Sequence, residues 1–157
     1  MKAASIKQIK TELELMHPTD LVAACIRLAK FRLENKELLT YLLFESQDEQ
    51  SYVRKSKETI KSEFSTLNKS RTYLAKKTIR KALRTTNKLI KYSGKKQTEI
   101  ELLICFCNQL RRTGLPIKLN TVIGNMYFRQ HQKIMKIYNS LHPDLQFDYT
   151  VDIEMLR

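Results

Sequence analysis

The stretch Ile100-Glu101-Leu102-Leu103-Ile104-Cys105-Phe106-Cys107 decides the fold of this 157-residue chain. It is apolar on nearly every side, and a helix without a polar face belongs in the middle of a protein. A second stretch, Leu38-Leu39-Thr40-Tyr41-Leu42-Leu43-Phe44, has the same character. We therefore expect both stretches at the centre of the molecule, with amphipathic helices packed around them.

Apolar periodicity predicts about seven helices, and their boundaries follow from Pro, Gly and cap residues, among them Pro18 or Thr19 as a start, Asp48 as an N-cap and Gly94 as a stop. They cover residues 2–16, 18 or 19 to about 34, 36–46, 48–67, 70–93, 95–113 and 119–141. The predicted fold is all-α, either a helical bundle or an α–α superhelix in which HEAT-like hairpins stack. A chain of this length can bury its own core, so residues 1–145 are expected to form one helical domain.

The last segment has a different pattern, because apolar and polar residues alternate strictly from Gln146 to Met155. Period two is typical of an extended strand with one buried face. Residues 146–157 are therefore predicted to be an extended acidic and apolar tail. The strand has no partner in its own chain, so it would pair with another molecule or across a homodimer through Phe147, Tyr149, Val151 and Ile153. Alternatively, its acidic edge (Asp148, Asp152 and Glu154) would lie on the basic helix of residues 70–93, either of its own chain or of a neighbouring chain, and would mask it.

Positive charge is concentrated in one segment. The chain carries 29 Lys and Arg against 16 Asp and Glu, a net charge of +13. Between Phe64 and Thr98 there are eleven basic residues and no acidic one. This segment contains the predicted helix of residues 70–93. On that helix, Ala75, Ile79, Ala82, Leu83, Thr86 and Ile90 share one face.

The opposite face of this helix carries seven cations, with Tyr73 at their edge. They are Lys76, Lys77, Arg80, Lys81, Arg84, Lys88 and Lys91. Like charges four residues apart destabilise a helix by about 0.2–0.5 kcal/mol per pair, and a face made only for solubility would mix both signs. We therefore expect a polyanion to bind here. The first candidate is a nucleic-acid backbone bound without sequence specificity.

Other readings of the basic face stay open. An acidic protein partner would suit a helical interaction or scaffold module, and a solvated face needs no partner. An anionic membrane fits less well, because Ala75 and Ala82 make the apolar face small and no Trp or Phe lies in it. No membrane-spanning stretch is expected either, since the densest apolar run is broken by Glu101.

The residues predict no catalytic, metal or cofactor site, so we do not expect an enzyme. His17 and His142 each precede a proline at a helix boundary, where a turn role explains them. Cys105 and Cys107 point about 200° apart on a helix, which is wrong for two ligands of one ion. Three cysteines within helical apolar patterns indicate buried free thiols in a reducing compartment, and hence a cytoplasmic protein.

Overall fold

The computed structural model describes residues 2–156 and contains, over that range, eight α-helices, one π-helical turn and no strand. The helices are α1 (Ile6–Leu15), α2 (Pro18–Phe31), α3 (Leu33–Thr40), α4 (Glu49–Ser65), α5 (Thr72–Ser93), α6 (Lys96–Arg112), α7 (Val122–Tyr138) and α8 (Pro143–Glu154), and the π turn is Tyr41–Glu45. The predicted all-α class is confirmed, although the number of helices is eight and not seven. Within the described residues, none of these helices is long and apolar enough to cross a membrane.

Short polar caps begin several of these helices where the sequence places them. The Asp48 carboxylate accepts a hydrogen bond from the Ser51 N–H at 3.0 Å, as expected for the start of α4. His17 and His142 are the N-caps of α2 and α8, each followed by a proline in the first turn. The turn role predicted for both histidines is confirmed. Gly94, at φ 67°, ends α5 in the left-handed conformation that favours glycine.

The chain divides into two compact units, a first unit up to Phe44 and a second unit from Glu45 onward. In the first unit, α2 and α3 pack as a hairpin, and the Asn35 side chain donates a hydrogen bond to the Leu28 carbonyl at 2.9 Å across their junction. No side chain of α1, α2 or α3 is buried.

The prediction that the stretch 38–44 lies at the centre of the protein is wrong. Tyr41 is buried, but Leu42, Leu43 and Phe44 are 54%, 58% and 76% exposed. The first unit offers this stretch only short helices, and they do not surround it. All-round apolar character predicts burial only where enough neighbouring helices exist to cover every face.

The second unit contains the core, and α6 runs through it in contact with α4, α5 and α7. Leu102, Leu103 and Phe106 are fully buried, and the Phe106 ring packs against Phe64 of α4 with ring centroids 5.5 Å apart. The predicted central position of the stretch 100–107 is confirmed. Helix α5 packs on α4 and α6, so its position is set by this core.

The predicted C-terminal strand is wrong, because residues 143–154 form helix α8. The predicted strand face does not exist: Ile153 is buried, Tyr149 is half-buried, and Phe147 and Val151 are 81% and 61% exposed. The residues that face the core are Leu145, Tyr149, Ile153 and Leu156, spaced by four, four and three. The same sequence therefore carries a helical period beside the alternating one, and the His142-Pro143 start selects the helix. Pairing of Phe147, Tyr149, Val151 and Ile153 as a partner strand is ruled out with it.

Candidate polyanion interface on helix α5

Helix α5 is held in the second unit by a narrow row of small and branched side chains. Ala75, Ile79, Ala82, Thr86 and Ile90 are buried, as the helical period predicts. The Thr86 hydroxyl donates a hydrogen bond to the Ala82 carbonyl oxygen at 2.8 Å. Because its hydrogen bond is made within α5, this polar side chain can lie in the buried row. Two alanines allow the backbone of α5 to approach its neighbours closely. The row fixes which face of α5 turns outward.

The outward face carries the cations named above. Lys77, Arg80, Lys81, Arg84 and Lys91 are exposed, whereas Lys76 and Lys88 are half-buried beside the packed row. All seven predicted cations thus lie on α5, but they differ in how freely they can reach a ligand.

Carboxylates of the chain neutralise only part of the positive charge on this face. The Lys81 ammonium lies 2.8 Å from the Glu63 carboxylate of α4, and Lys88 interacts with other groups of the chain. Among residues 2–156, no carboxylate oxygen lies within 4.0 Å of the side-chain nitrogens of Lys77, Arg80, Arg84 or Lys91. These four side chains form the uncompensated part of the basic face.

A concavity of about 440 Å³ opens along this face. Its lining residues are Tyr73, Lys77, Arg80, Leu83, Arg84 and Asn87, all on α5. Tyr73 is 74% exposed, so its ring is available for stacking. Three cations, one phenol ring and one amide therefore border the same opening. The spacing of four, three, four and three from Tyr73 to Asn87 is the sequence signal that marks this row, and it separates Lys77, Arg80 and Arg84 from the other four cations.

The turn after α5 is fastened to α4. The Glu49 carboxylate accepts hydrogen bonds from the hydroxyls of Ser93 and Thr98, and it lies 2.9 Å from the Lys95 ammonium. One acidic side chain thereby joins the end of α5 to the start of α6. Lys95 is consequently engaged inside the protein, although it belongs to the same basic segment of the sequence.

The acidic side chains of the tail lie elsewhere. Asp148 and Asp152 of α8 border a groove that also contains Lys57, Lys61 and Arg112 of α4 and α6. The two aspartates thus lie in the same chain beside cations of α4 and α6, and not over α5. The expected covering of α5 by these two side chains within the chain is wrong, because α8 packs its Tyr149 side against α6.

Tyr149 and Lys57 meet at Glu101 in this groove. The Tyr149 hydroxyl donates to one Glu101 oxygen at 3.3 Å, and the Lys57 ammonium lies 2.7 Å from the other. Burial and the neighbouring Glu101 carboxylate raise the pKa of Tyr149 to about 12. A phenol is neutral at physiological pH, and the raised pKa extends this neutral range further into alkaline pH, so Tyr149 remains a hydrogen-bond donor to Glu101.

The cysteines of the core are not placed for chemistry. Burial raises the pKa of the Cys107 thiol to about 12, and burial also raises the pKa of Cys105. A thiol is nucleophilic and binds metal as the thiolate, so both groups are held in their inert form. Among the described residues, no three His, Cys, Asp or Glu side chains are grouped so that they could hold a metal ion. Cys25, predicted to be buried, is half-buried in the first unit.

Comparison with protein-family models, curated proteins and solved structures gave no significant match.

Proposed function

We propose that this chain is a non-enzymatic binding protein whose helix α5 contacts the backbone of a nucleic acid without sequence specificity. The observation that carries the proposal is the row of four exposed cations, Lys77, Arg80, Arg84 and Lys91, with no carboxylate beside them. Charged side chains of one sign, fixed on a rigid helix, raise the local concentration of a polyanion.

The length of the row suits a nucleic-acid backbone. Fourteen residues separate Lys77 from Lys91, which is about 21 Å at the helical rise of 1.5 Å per residue. At 3.4 Å per nucleotide step, this distance covers about six phosphates of one strand. Four cations spread over six phosphates can each neutralise a different one.

Indifference to base sequence follows from the residue types. Lysine ammonium groups and unconstrained guanidinium groups on a helix surface neutralise phosphates, whereas base edges are read by amide and bidentate contacts in a groove. Asn87 is the one amide of the concavity. A single amide is not enough to recognise a particular base sequence.

Salt dependence gives the proposal a magnitude. Each phosphate neutralised on a duplex contributes about −0.9 to the slope of log K against log salt. Four contacts therefore predict a slope of about −3.6, and an affinity that falls about 100-fold between 50 and 200 mM salt.

The cysteines bear on the location of the protein. All three are free thiols, and cytoplasmic proteins keep their cysteines in this reduced form, so we place the protein in the cytoplasm.

The test is a fluorescence-anisotropy titration of a labelled duplex and a labelled single strand, at both salt concentrations. One variant replaces the cations of the concavity: Lys77→Gln, Arg80→Gln and Arg84→Gln. A matched control removes the same charges from the α4 and α6 surface: Arg54→Gln, Lys61→Gln and Arg112→Gln. We expect the first variant to lose about 3 of the slope units and at least about tenfold in affinity, while the control keeps both.

Three results would overturn the proposal. The first is the absence of binding by the wild-type chain at the lower salt concentration. The second is an equal loss in both variants, which would show that net charge and not α5 drives the binding. Polyglutamate that binds more tightly than either oligonucleotide would assign the basic face to an acidic protein partner.

A further inference from the structure

Tyr73, in the first turn of α5, is an aromatic side chain that the protein does not use for its own packing. Its side chain is 74% exposed. Within the described part of the chain, the ring stacks on no other ring, no cation lies over it, and its hydroxyl makes no hydrogen bond. The fold therefore gains little from this ring, and both of its faces are open to a ligand.

The ring lies on the same stripe of α5 as the exposed cations. At about 100° per residue, Tyr73 falls within about 60° of Lys77, Arg80 and Arg84 around the helix axis. Along the axis, Lys77 is about 6 Å from Tyr73 and Arg84 is about 17 Å from it, at a rise of 1.5 Å per residue. A strand whose phosphates follow the cations consequently brings its bases within reach of the ring.

Two further side chains of the concavity suit a base better than a phosphate. Leu83 is half-buried against the core and adds an apolar wall. Asn87 is half-buried as well, and among residues 2–156 its side-chain amide has no hydrogen-bond partner. An amide offers both donors and an acceptor, as the edge of a base requires. The volume of about 440 Å³ is within the usual range of small-ligand sites.

We infer that the ligand of α5 is a single-stranded nucleic acid, of which one base stacks on Tyr73 while the neighbouring phosphates contact the three cations of the concavity. The inference rests on the nucleic-acid binding proposed above and specifies its ligand. Basic grooves with an exposed aromatic ring are the usual means of holding single strands. Stacking tolerates every base, because each base has a π face, so it agrees with binding that ignores sequence.

A duplex uses less of the same surface. Its bases are stacked on both faces, and its grooves display only base edges. A base would have to leave the stack before it could lie on Tyr73, which costs free energy. The phosphates of a duplex can contact the cations, but the ring of Tyr73 and the apolar wall at Leu83 then remain without a ligand.

The first test compares three labelled ligands of equal length by fluorescence anisotropy with the full chain: a single strand, an abasic strand and a duplex. The abasic strand has the same phosphates as the single strand and lacks the bases. The wild-type chain should bind the single strand at least about fivefold more tightly than the abasic strand, which is the contribution of one stacked base.

Removal of the ring is the second test. Tyr73→Ala should weaken the binding of the single strand by at least about fivefold and should leave the abasic strand and the duplex within about twofold. Phe147→Ala is the matched control, because Phe147 is an equally exposed ring of the second unit that lies on α8. The control should leave all three affinities unchanged. Both positions are exposed, so the helical circular dichroism of both variants should equal that of the wild-type chain.

A spectroscopic test reports the stacking itself. The chain contains no Trp, so Tyr73→Trp introduces a single indole at the site. A base stacked on the indole should quench its fluorescence when the single strand is added, and the abasic strand should not. Phe147→Trp, with its indole on α8, should keep its fluorescence with both ligands.

The outcomes separate this inference from the proposed backbone contact. If the wild-type chain binds none of the three ligands, both are wrong. The inference alone is overturned if single and abasic strands bind equally, if Tyr73→Ala weakens the duplex as much as the single strand, or if the indole of Tyr73→Trp is not quenched. Binding through the phosphates would then remain.

Discussion

Two stretches of almost equal apolar character end in opposite environments. Leu102 and Leu103 of α6 are fully buried, whereas Leu42 and Leu43 of the first unit are 54% and 58% exposed. The difference lies in the neighbours, because α6 has α4, α5 and α7 around it and the first unit has only short helices. Composition says how much a segment gains from burial, and only the rest of the chain decides whether burial within that chain is available.

Thiol reactivity should separate the two units by the largest factor. At mildly alkaline pH, a disulfide reagent should label Cys25 quickly, because it is half-buried in the first unit. Cys107 should react more than about 1,000-fold more slowly, since burial raises the pKa of its thiol to about 12 and labelling requires an opening of the core. Cys105, which borders the groove at Asp148 and is 8% exposed, should react at an intermediate rate. Counting the released thiolate against time checks this. Cys25→Ser should remove the fast phase, and three equal rates would contradict the comparison.

A matched pair of leucine substitutions should separate the units next. Leu103→Ala should lower the free energy of unfolding of the second unit by about 2–5 kcal/mol, because it leaves a cavity in a fully buried site. Leu43→Ala should change the same quantity by less than about 0.5 kcal/mol, as expected for an exposed residue. Hydrogen exchange of the α6 amides in both variants measures this free energy of unfolding. Equal effects would show that Leu43 is part of the same core.

Backbone crowding in the second unit gives a smaller effect. Gly124 lies at the start of α7, and a Cβ there would come within 1.9 Å of the Lys118 carbonyl oxygen. Gly124→Ala should therefore cost up to about 3 kcal/mol by overpacking. Gly114→Ala should cost about 1 kcal/mol, because Gly114 has open space around it but a φ of 70°. Urea titrations compare the two. A smaller destabilisation by Gly124→Ala than by Gly114→Ala would show that the loop before α7 moves aside to accommodate the added methyl group.

Alkaline pH should weaken the second unit by the smallest amount. The pKa of Tyr149 is about 12 in the folded chain, whereas a tyrosine in an unfolded chain has a pKa of about 10. The folded state holds the phenol proton more tightly than the unfolded state, so this contribution to stability is present below pH 10 and is lost as the pH rises toward 12. Between pH 9 and pH 12, the midpoint of thermal unfolding should fall less steeply in the Tyr149→Phe variant than in the wild-type chain. A Tyr149→Phe curve as steep as that of the wild-type chain would contradict the assignment.

Local signals in the sequence predicted local structure well. The Asp48 cap, the Pro18 start and the Gly94 stop lie where propensity places them. The buried row of α5 follows from its 3.6-residue period, and the outward direction of the cations follows from that row. These features depend on contacts within a few residues, which one sequence contains in full.

Features that depend on distant neighbours could not be predicted in the same way. The alternation from Gln146 to Met155 predicted a strand, but the residues 145, 149, 153 and 156 also have a helical period. The helix that begins at His142-Pro143 places these four side chains against the core of the second unit, which lies far away in the sequence. The prediction that the stretch 38–44 is buried was wrong for the same reason. The concavity bordered by Tyr73 and Asn87 needed the helix position as well as its period. Whether the hairpins form a bundle or a superhelix stays a prediction.

Binding of a nucleic-acid backbone by the exposed cations of α5 is the central claim, and one sedimentation-velocity experiment with a fluorescent oligonucleotide tests it. At 50 mM salt, the oligonucleotide should sediment with the wild-type chain and with the control chain that carries Arg54→Gln, Lys61→Gln and Arg112→Gln. The chain with Lys77→Gln, Arg80→Gln and Arg84→Gln should bind the oligonucleotide at least about tenfold more weakly. Equal binding by the two triple variants, with the helical content of the second unit intact, would contradict the claim.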